Sequence, residues 1–270
     1  MNTDLDSLQV SILSSGSSGN VAYIQTDQHQ ILLDAGLSGI KIRKLLKKIG
    51  RSIDDIDMLF ISHEHSDHTQ GVGVLARRCP KIKVFANQET WDSLPDSLGV
   101  IPANQQVVFP VGTIQAFGDI TVQSFGVSHD AALEQCYVFK QGAKQFVLIT
   151  DTGYISESIQ HYIADSTAFA LECNYDVEML MNGPYPWPLK QRILCDTGHM
   201  SNEDEAEVLA NVIGDDTKAV FLTHRSHHNN TKLVAHQTVS EILTDRGLNV
   251  DVDFNLYDTD ICEPTKLIKL

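Results

Sequence analysis

FISHEHSDHTQG, residues 60–71, is the stretch that decides how this chain is read. It places His63, His65, Asp67 and His68 within six positions. Three imidazoles and a carboxylate form a donor set suited to Zn²⁺, Fe²⁺ or Mn²⁺. The spacing carries geometry as well. His63 and His65 are two apart, so in an extended segment they point to the same side. If the chain turns sharply after them, Asp67 and His68 face a second point nearby. The apolar run Met58–Ile61 just before reads as a buried strand whose end would hold the ligands.

Short β-branched runs and helical segments alternate on either side of this stretch. Leu8–Leu13, Val21–Gln25 and Gln30–Leu33 read as strands. Ile40–Ile49 and Gly71–Arg78 read as helices, with Asp57–Ser62 and Ile82–Ala86 extended. From Gln106 to Ile149 the pattern is almost entirely strand-like. Helices are expected near Ser156–Ile163, Asn202–Val212 and Lys232–Leu243, and strands at Ala168–Glu172, Ala219–Thr223 and Asp251–Tyr257. Ser201 is the expected N-cap of the helix at Asn202. This order predicts a layered α/β fold. Three more polar residues stand just past apolar runs: His129 after ITVQSFGVS, Asp151 after QFVLIT and His224 after AVFLT. Each alone reads as a turn residue, but with the histidine cluster they complete two ligand sets.

The chain has 270 residues, 20 Lys+Arg against 35 Asp+Glu, and a net charge of −15. Such an acidic surface excludes a general electrostatic DNA coat, because it repels phosphate at long range. No apolar run is long enough to span a membrane. The acidic start, MNTDLDSLQV, has no basic n-region and reads as no signal peptide. Five scattered cysteines without a C-x-x-C pair point to the reducing cytoplasm.

The order ILLDAG (Asp34), SHEHSDH (His63 to His68), VSHDA (His129), ITDTG (Asp151) and FLTHRS (His224) resembles the metallo-β-lactamase-fold hydrolases from about residue 8 to 257. The resemblance implies an αββα sandwich, expected here as one domain over residues 1–270. It implies two divalent metal ions, zinc, manganese or iron. His63, His65, His129 and Asp151 would hold one, and Asp67, His68, Asp151 and His224 the other, with Asp34 in structural support. The His-x-His opening, in place of His-x-Glu, favours hydrolysis over redox chemistry.

Three segments narrow the branch: LSSGSSGN (13–20), LECNYDVEMLMNGPYPWPLKQRI (171–193) and GHMSNEDEA (198–206). Together they resemble the YycJ/WalJ proteins, small nucleases of this fold. That implies a 5′-to-3′ DNA exonuclease, with DNA favoured over RNA and no membrane partner. Implied chemistry is attack on phosphorus by a hydroxide bridging the metals, with Asp67 orienting or deprotonating it. His227-His228 depart from the family, which more often carries an Arg-Glu pair before Asn-Asn. Gly198-His199-Met200-Ser201-Asn202 resembles the Gly-His-Ser-Thr loop of ribonuclease Z, which makes His199 a proton donor to the leaving oxygen. Ser201 and Asn202 at a helix N-terminus are expected to cradle phosphate, with Arg225 beside them. Only 73 residues separate Asp151 from His224, too few for the extra domain of the β-CASP nucleases.

Between residues 41 and 51 stand six cations and no acid. At helical spacing Lys41, Lys44, Lys48 and Arg51 lie opposite Ile42, Leu45, Leu46 and Ile49. The face reads either as a solvated helix surface or as a phosphate-tracking ridge carried by Lys44 and Lys48, to which Arg77, Arg78, Lys81 and Lys83 could add. Tyr185 and Trp187, among three prolines, read equally as a base-stacking wall or as a loop packed on the core. Competing readings are a hydrolase of thioesters, lactams or small phosphodiesters, which needs the same ligands, and a metal-binding module without turnover.

Overall fold

The computed structural model describes residues 7–270. The reading of the first six residues as leader-free lies outside the described residues. In chain order the elements are β1 (Gln9–Ser14), β2 (Val21–Gln25), β3 (Gln30–Leu33), α1 (Gly39–Lys48), β4 (Met58–Phe60), α2 (Ser66–Thr69), α3 (Val72–Arg78), β5 (Lys83–Ala86) and α4 (Gln88–Ser93). There follow β6 (Gln106–Val108), β7 (Ile114–Phe117), β8 (Ile120–Gly126), β9 (Gln135–Gln141), β10 (Lys144–Ile149), α5 (Glu157–Ile163), β11 (Ala168–Glu172), α6 (Val177–Asn182) and α7 (Trp187–Leu194). The last are α8 (Asn202–Val212), β12 (Ala219–Thr223), α9 (Lys232–Asp245), β13 (Asn255–Asp258) and β14 (Ile268–Lys269). They group into two compact units, neither continuous in sequence. One holds the chain up to Gly126 with Ala131–Lys144 and Asp260–Leu270, the other Val127–Asp130 with Gln145–Thr259.

In the first unit a mixed sheet runs β14-β1-β2-β3-β4-β5-β6. Its β1–β3 part is antiparallel and its β3–β6 part parallel. Strand alternation sorts the faces. Leu32, Leu59 and Val84 point to one side, where the apolar faces of α1 (Ile42, Leu45, Leu46) and α3 (Val72, Leu75, Ala76) cover them. Phe60 and Phe85 point to the other, stacked at 4.5 Å. There they meet Phe117, Tyr137 and Phe139 of the antiparallel strands β7 and β9. Burial of these large rings, each contributing on the order of 2–3 kcal/mol, locks the two strand layers together.

In the second unit β10-β11-β12-β13 run parallel, with Leu148 opposite Ala170, Ala170 opposite Phe221 and Phe221 opposite Tyr257. β11 and β12 are buried throughout, as parallel strands covered on both faces must be. α8 packs against α9 and α5, and α9 against β13. Ser156, Asp176, Ser201 and Thr231 each cap a helix by accepting a backbone N–H of its first turn.

β11, β12 and α8 fall where the pattern places them, and β13 begins later than expected. Its first three expected residues form a turn, with Asp251 in the left-handed region at φ 59°, and Phe254 makes only an isolated bridge to Val250. Four short helices, α2, α4, α6 and α7, were not anticipated; α2, α4 and α6 span six residues or fewer, too short for a helical period to show, and α7 opens within a proline-rich stretch.

Candidate metal centre

Parallel pairing explains where the polar residues gather. In the first unit Leu33 of β3 pairs with Phe60 of β4, so the two strands end level and their following residues meet. Asp34 follows β3 with φ 61°, a strained conformation for a residue other than glycine. It accepts the Ser62 N–H at 2.8 Å, the Ser62 hydroxyl at 2.9 Å and His68 Nδ1 at 2.8 Å. Because a carboxylate only accepts, His68 carries its proton on Nδ1 and turns the Nε2 lone pair away from Asp34. His63 Nδ1 is held by Ser62 Oγ at 3.0 Å, with the buried Glu134 carboxylate at 3.4 Å. His63 Nε2 then stands 2.9 Å from His65 Nδ1, and His68 Nε2 3.6 Å from Asp67 Oδ2. The expected sharp turn is α2, which starts at Ser66.

Gly36 is required at this turn. A Cβ there would lie 1.6 Å from the Asp67 carbonyl, which also accepts the Asn20 N–H at 2.8 Å. Asn20 itself reaches His68 Nε2 through Nδ2 at 3.0 Å.

The second unit repeats the device. Ile149 of β10 pairs with Leu171 of β11, and Glu172 of β11 with Thr223 of β12. Asp151, Glu172 and His224 therefore stand at the carboxyl ends of three adjacent strands, with Asp151 at φ 58° and His224 at φ 51°. Glu172 is wholly buried and accepts His199 Nδ1 and His224 Nδ1 on one oxygen, both at 2.7 Å. Its other oxygen accepts the Thr152 N–H at 3.0 Å and the Met200 N–H at 3.4 Å. Burial opposes its charge, yet His199 and His224 outweigh that and hold the carboxyl well below the usual range. Burial likewise opposes a charge on His199, and Glu172 outweighs it to raise the imidazole above its ordinary value. His224 Nε2 lies 3.4 Å and His129 Nε2 3.8 Å from Asp151 Oδ1.

These donor sets fit divalent metals. Two nitrogens about 2.0–2.1 Å from one tetrahedral ion stand ~3.3 Å apart. The spacings of 2.9–3.8 Å between donor atoms bracket that value. Asp151, Glu172, His199 and His224 offer donor atoms all within 4.8 Å of one another. Glu172, however, already satisfies two Nδ1–H groups and two backbone N–H groups. That makes it the residue that orients ligands, the part sequence reading left unfilled. Its signal was a carboxylate closing the otherwise apolar run AFALE. Asn20 was quoted in its motif with no role, and Glu134 was not singled out.

The structure places the other expected contact residues, beginning with the start of α8. Ser201 and Asn202 are buried, the Asn202 N–H donates to the Tyr175 carbonyl, and the Asp204 N–H to Ser201 Oγ. The first turn also carries Glu203, Asp204 and Glu205, which repel an anion. Arg225 is half-buried and donates to the Thr259 carbonyl at 3.1 Å. Lys44 is exposed on α1, but Lys48 pairs with Glu263 and Arg51 donates to Gln25. Arg77 donates to the carbonyls of Leu98 and Val100, and Lys83 to that of Asn104.

The comparisons agree with this geometry. A model of the Beta-lactamase superfamily domain matches residues 29–225. Exodeoxyribonuclease YycJ of Bacillus anthracis is 46% identical over 260 residues, covering 96% of this chain and 98% of its own. Exodeoxyribonuclease WalJ of Streptococcus pneumoniae serotype 2 is 47% identical over 262 residues, covering 96% and 97%. In fold the chain is similar to the crystal structure of the metallo-β-lactamase fold protein YhfI from Bacillus subtilis. The TM-score is 0.71 at 13% identity, over 96% of this chain and 99% of that one. With its strand-end clusters of histidine and carboxylate, this chain belongs to the YycJ/WalJ family of the metallo-β-lactamase fold, an αββα sandwich.

Proposed function

We propose that this protein is a metal-dependent phosphodiesterase that removes nucleotides from DNA, working from the 5′ end. The observation that carries this is identity of 46–47% across 96% of the chain with two exodeoxyribonucleases. The family resemblance assigns His63, His65, His129 and Asp151 to one divalent ion, and Asp67, His68, Asp151 and His224 to a second, zinc, manganese or iron. In support, Asp34 and Glu172 hold Nδ1 of His68 and His224, which aims each Nε2 toward a neighbouring carboxylate, that of Asp67 or Asp151. Bound there, divalent ions would supply Lewis acidity and acidify water.

The chain's own groups do the rest. Asp67, about one-quarter exposed, orients the attacking water and takes its proton. His199, also about one-quarter exposed, donates from Nε2 to the leaving oxygen. Glu172 fixes that tautomer by holding Nδ1 and favours the protonated ring. The exposed cations of α1 (Lys41, Arg43, Lys44 and Lys47) track phosphates of the bound strand.

We place the protein in the cytoplasm, on the support of five free cysteines. Among the described residues no helix is long and apolar enough to cross a membrane. We read residues 1–270 as one domain, because the family match runs through segments of both units.

The test uses one oligonucleotide labelled at either end, its RNA counterpart, and a thioester. The proposal expects the 5′ label to leave first, as mononucleotides or short products, with RNA cut more slowly. Brisk thioester hydrolysis with no cleavage of nucleic acid would move the protein to the small-molecule branch.

A further inference from the structure

We propose that His227, His228 and Tyr185 form a nucleobase-binding subsite, a ring platform on which one base of the bound strand stacks; this rests on the nuclease reading. The His227 and His228 rings meet edge to face at 4.9 Å, and His228 meets Tyr185 at 5.7 Å. Both histidines are exposed while Tyr185 is half-buried against the cluster of Tyr175, Leu180 and Ile193. The platform thus has an anchored base and an open rim.

Its two loops are tied to each other by hydrogen bonds. Asp176 donates its N–H to the Asn229 carbonyl at 2.9 Å, and Ser226 to the Asn174 carbonyl at 2.8 Å. Asn230 Nδ2 reaches the carbonyls of Cys173 and Asn174 at 3.1 and 3.2 Å. From the other side, the buried Lys190 ammonium clamps the carbonyls of Met181 and Gly183 at 2.7 and 2.9 Å. A side chain at Gly183 would put a Cβ 2.9 Å from Asn229 Oδ1, so glycine lets the loops close on each other. Rings held this way lose little entropy on binding a planar partner.

Charge and position point to the strand as that partner. Although 35 of the 270 residues are acidic, none lies in 179–195 or 217–240, the segments that carry the platform. Those segments add no carboxylate of their own against a polyanion, which lessens the repulsion the acidic surface exerts elsewhere. His227 is three residues past His224, within about 11 Å along the chain at full extension. A base on these rings therefore belongs to a nucleotide near the one being cleaved. Ring faces accept any base, so the platform sets grip and register rather than sequence.

The test is fluorescence anisotropy of metal-free protein with a short single-stranded oligonucleotide, repeated with one abasic position moved along it. Stacking predicts that one abasic position weakens binding roughly 5- to 100-fold. In the His227→Ala/His228→Ala double variant that penalty disappears, and His228→Phe alone keeps it. Circular dichroism confirms that each variant is folded. Insensitivity of the wild type to every abasic position, or the same penalty in the double variant, overturns the platform while leaving the nuclease reading intact. A protein that neither binds nor cleaves any oligonucleotide overturns both.

Discussion

Replacing Glu172 by glutamine removes one charge and little volume from a wholly buried position. The carboxylate holds His199 and His224, each at 2.7 Å, and two backbone N–H groups. Hydrogen bonds to a charged group are worth about 1.5–3 kcal/mol, against ~1 for a neutral one. The amide keeps one oxygen for the two imidazoles, so each bond loses about 1 kcal/mol. Its NH₂ then faces the Thr152 and Met200 N–H donors, which lose their acceptor. With about 2 kcal/mol from the two bonds and at least about 1 kcal/mol for each orphaned N–H, the folded protein should lose about 4 kcal/mol or more, roughly 8–16 °C in Tm for a chain of this size. Losing the charge behind His224 also weakens Nε2 as a ligand. The expected fall in metal affinity is roughly 10- to 100-fold, about 1.4–2.7 kcal/mol. Competition with a chromophoric chelator for Zn²⁺ measures it, on protein first shown to be folded. Affinity within twofold of wild type would refute the argument that Glu172 orients the metal-binding histidine.

Other perturbations probe separate links. Asp34→Ala leaves the Ser62 N–H and His68 Nδ1 without their acceptor in a buried corner; a Tm loss of more than about 5 °C is expected in thermal melts, and a smaller loss would show the corner to be adaptable. Glu205 is wholly buried beside the Cys173 thiol, and burial pushes its carboxyl well above the usual range. A raised carboxyl favours the folded state fully only below its unfolded pKa and loses that contribution as pH rises, so Glu205→Gln should stabilise the protein more at pH 8 than at pH 5 in denaturant titrations, and an equal effect at both would contradict the burial argument. Reversing charge at Lys44 and Lys47 should weaken DNA binding and flatten its salt dependence, by about 0.9 in the log–log slope per lost phosphate contact; reversal at Lys48, already paired with Glu263, should do less, and an unchanged slope would reduce α1 to a solvated face.

The buried parallel strands were the legible part of the fold. AFALE and AVFLT are continuous apolar runs ended by polar residues, and both became strands with the expected bounds. The polar residues at such ends marked Asp151 and His224 for the same reason, and the logic extends to Glu172, which was counted only as the strand's last residue. What the sequence concealed depends on long-range partners. Lys48 meets Glu263, 215 positions away, and nothing local foretells it. The α8 start reads two ways in sequence, because a capping serine and an acidic first turn stabilise a helix by the same dipole that would bind phosphate. Three acids already answer that dipole, so a fourth anion gains little there. Tyr185 was balanced between core and substrate, and the structure packs it against the cluster of Tyr175, Leu180 and Ile193, with the His228 ring 5.7 Å away.

The central claim is that ions held by these carboxylates and imidazoles make the protein a nuclease. It is tested most directly by stripping the protein of metal, reloading it with Zn²⁺ or Mn²⁺, and following 5′-labelled DNA with wild type and Asp67→Ala side by side. The account predicts no cleavage by stripped protein, recovery with at least one ion, and none with either ion in the folded Asp67→Ala variant. Full cleavage by the stripped protein, or by Asp67→Ala, would contradict it.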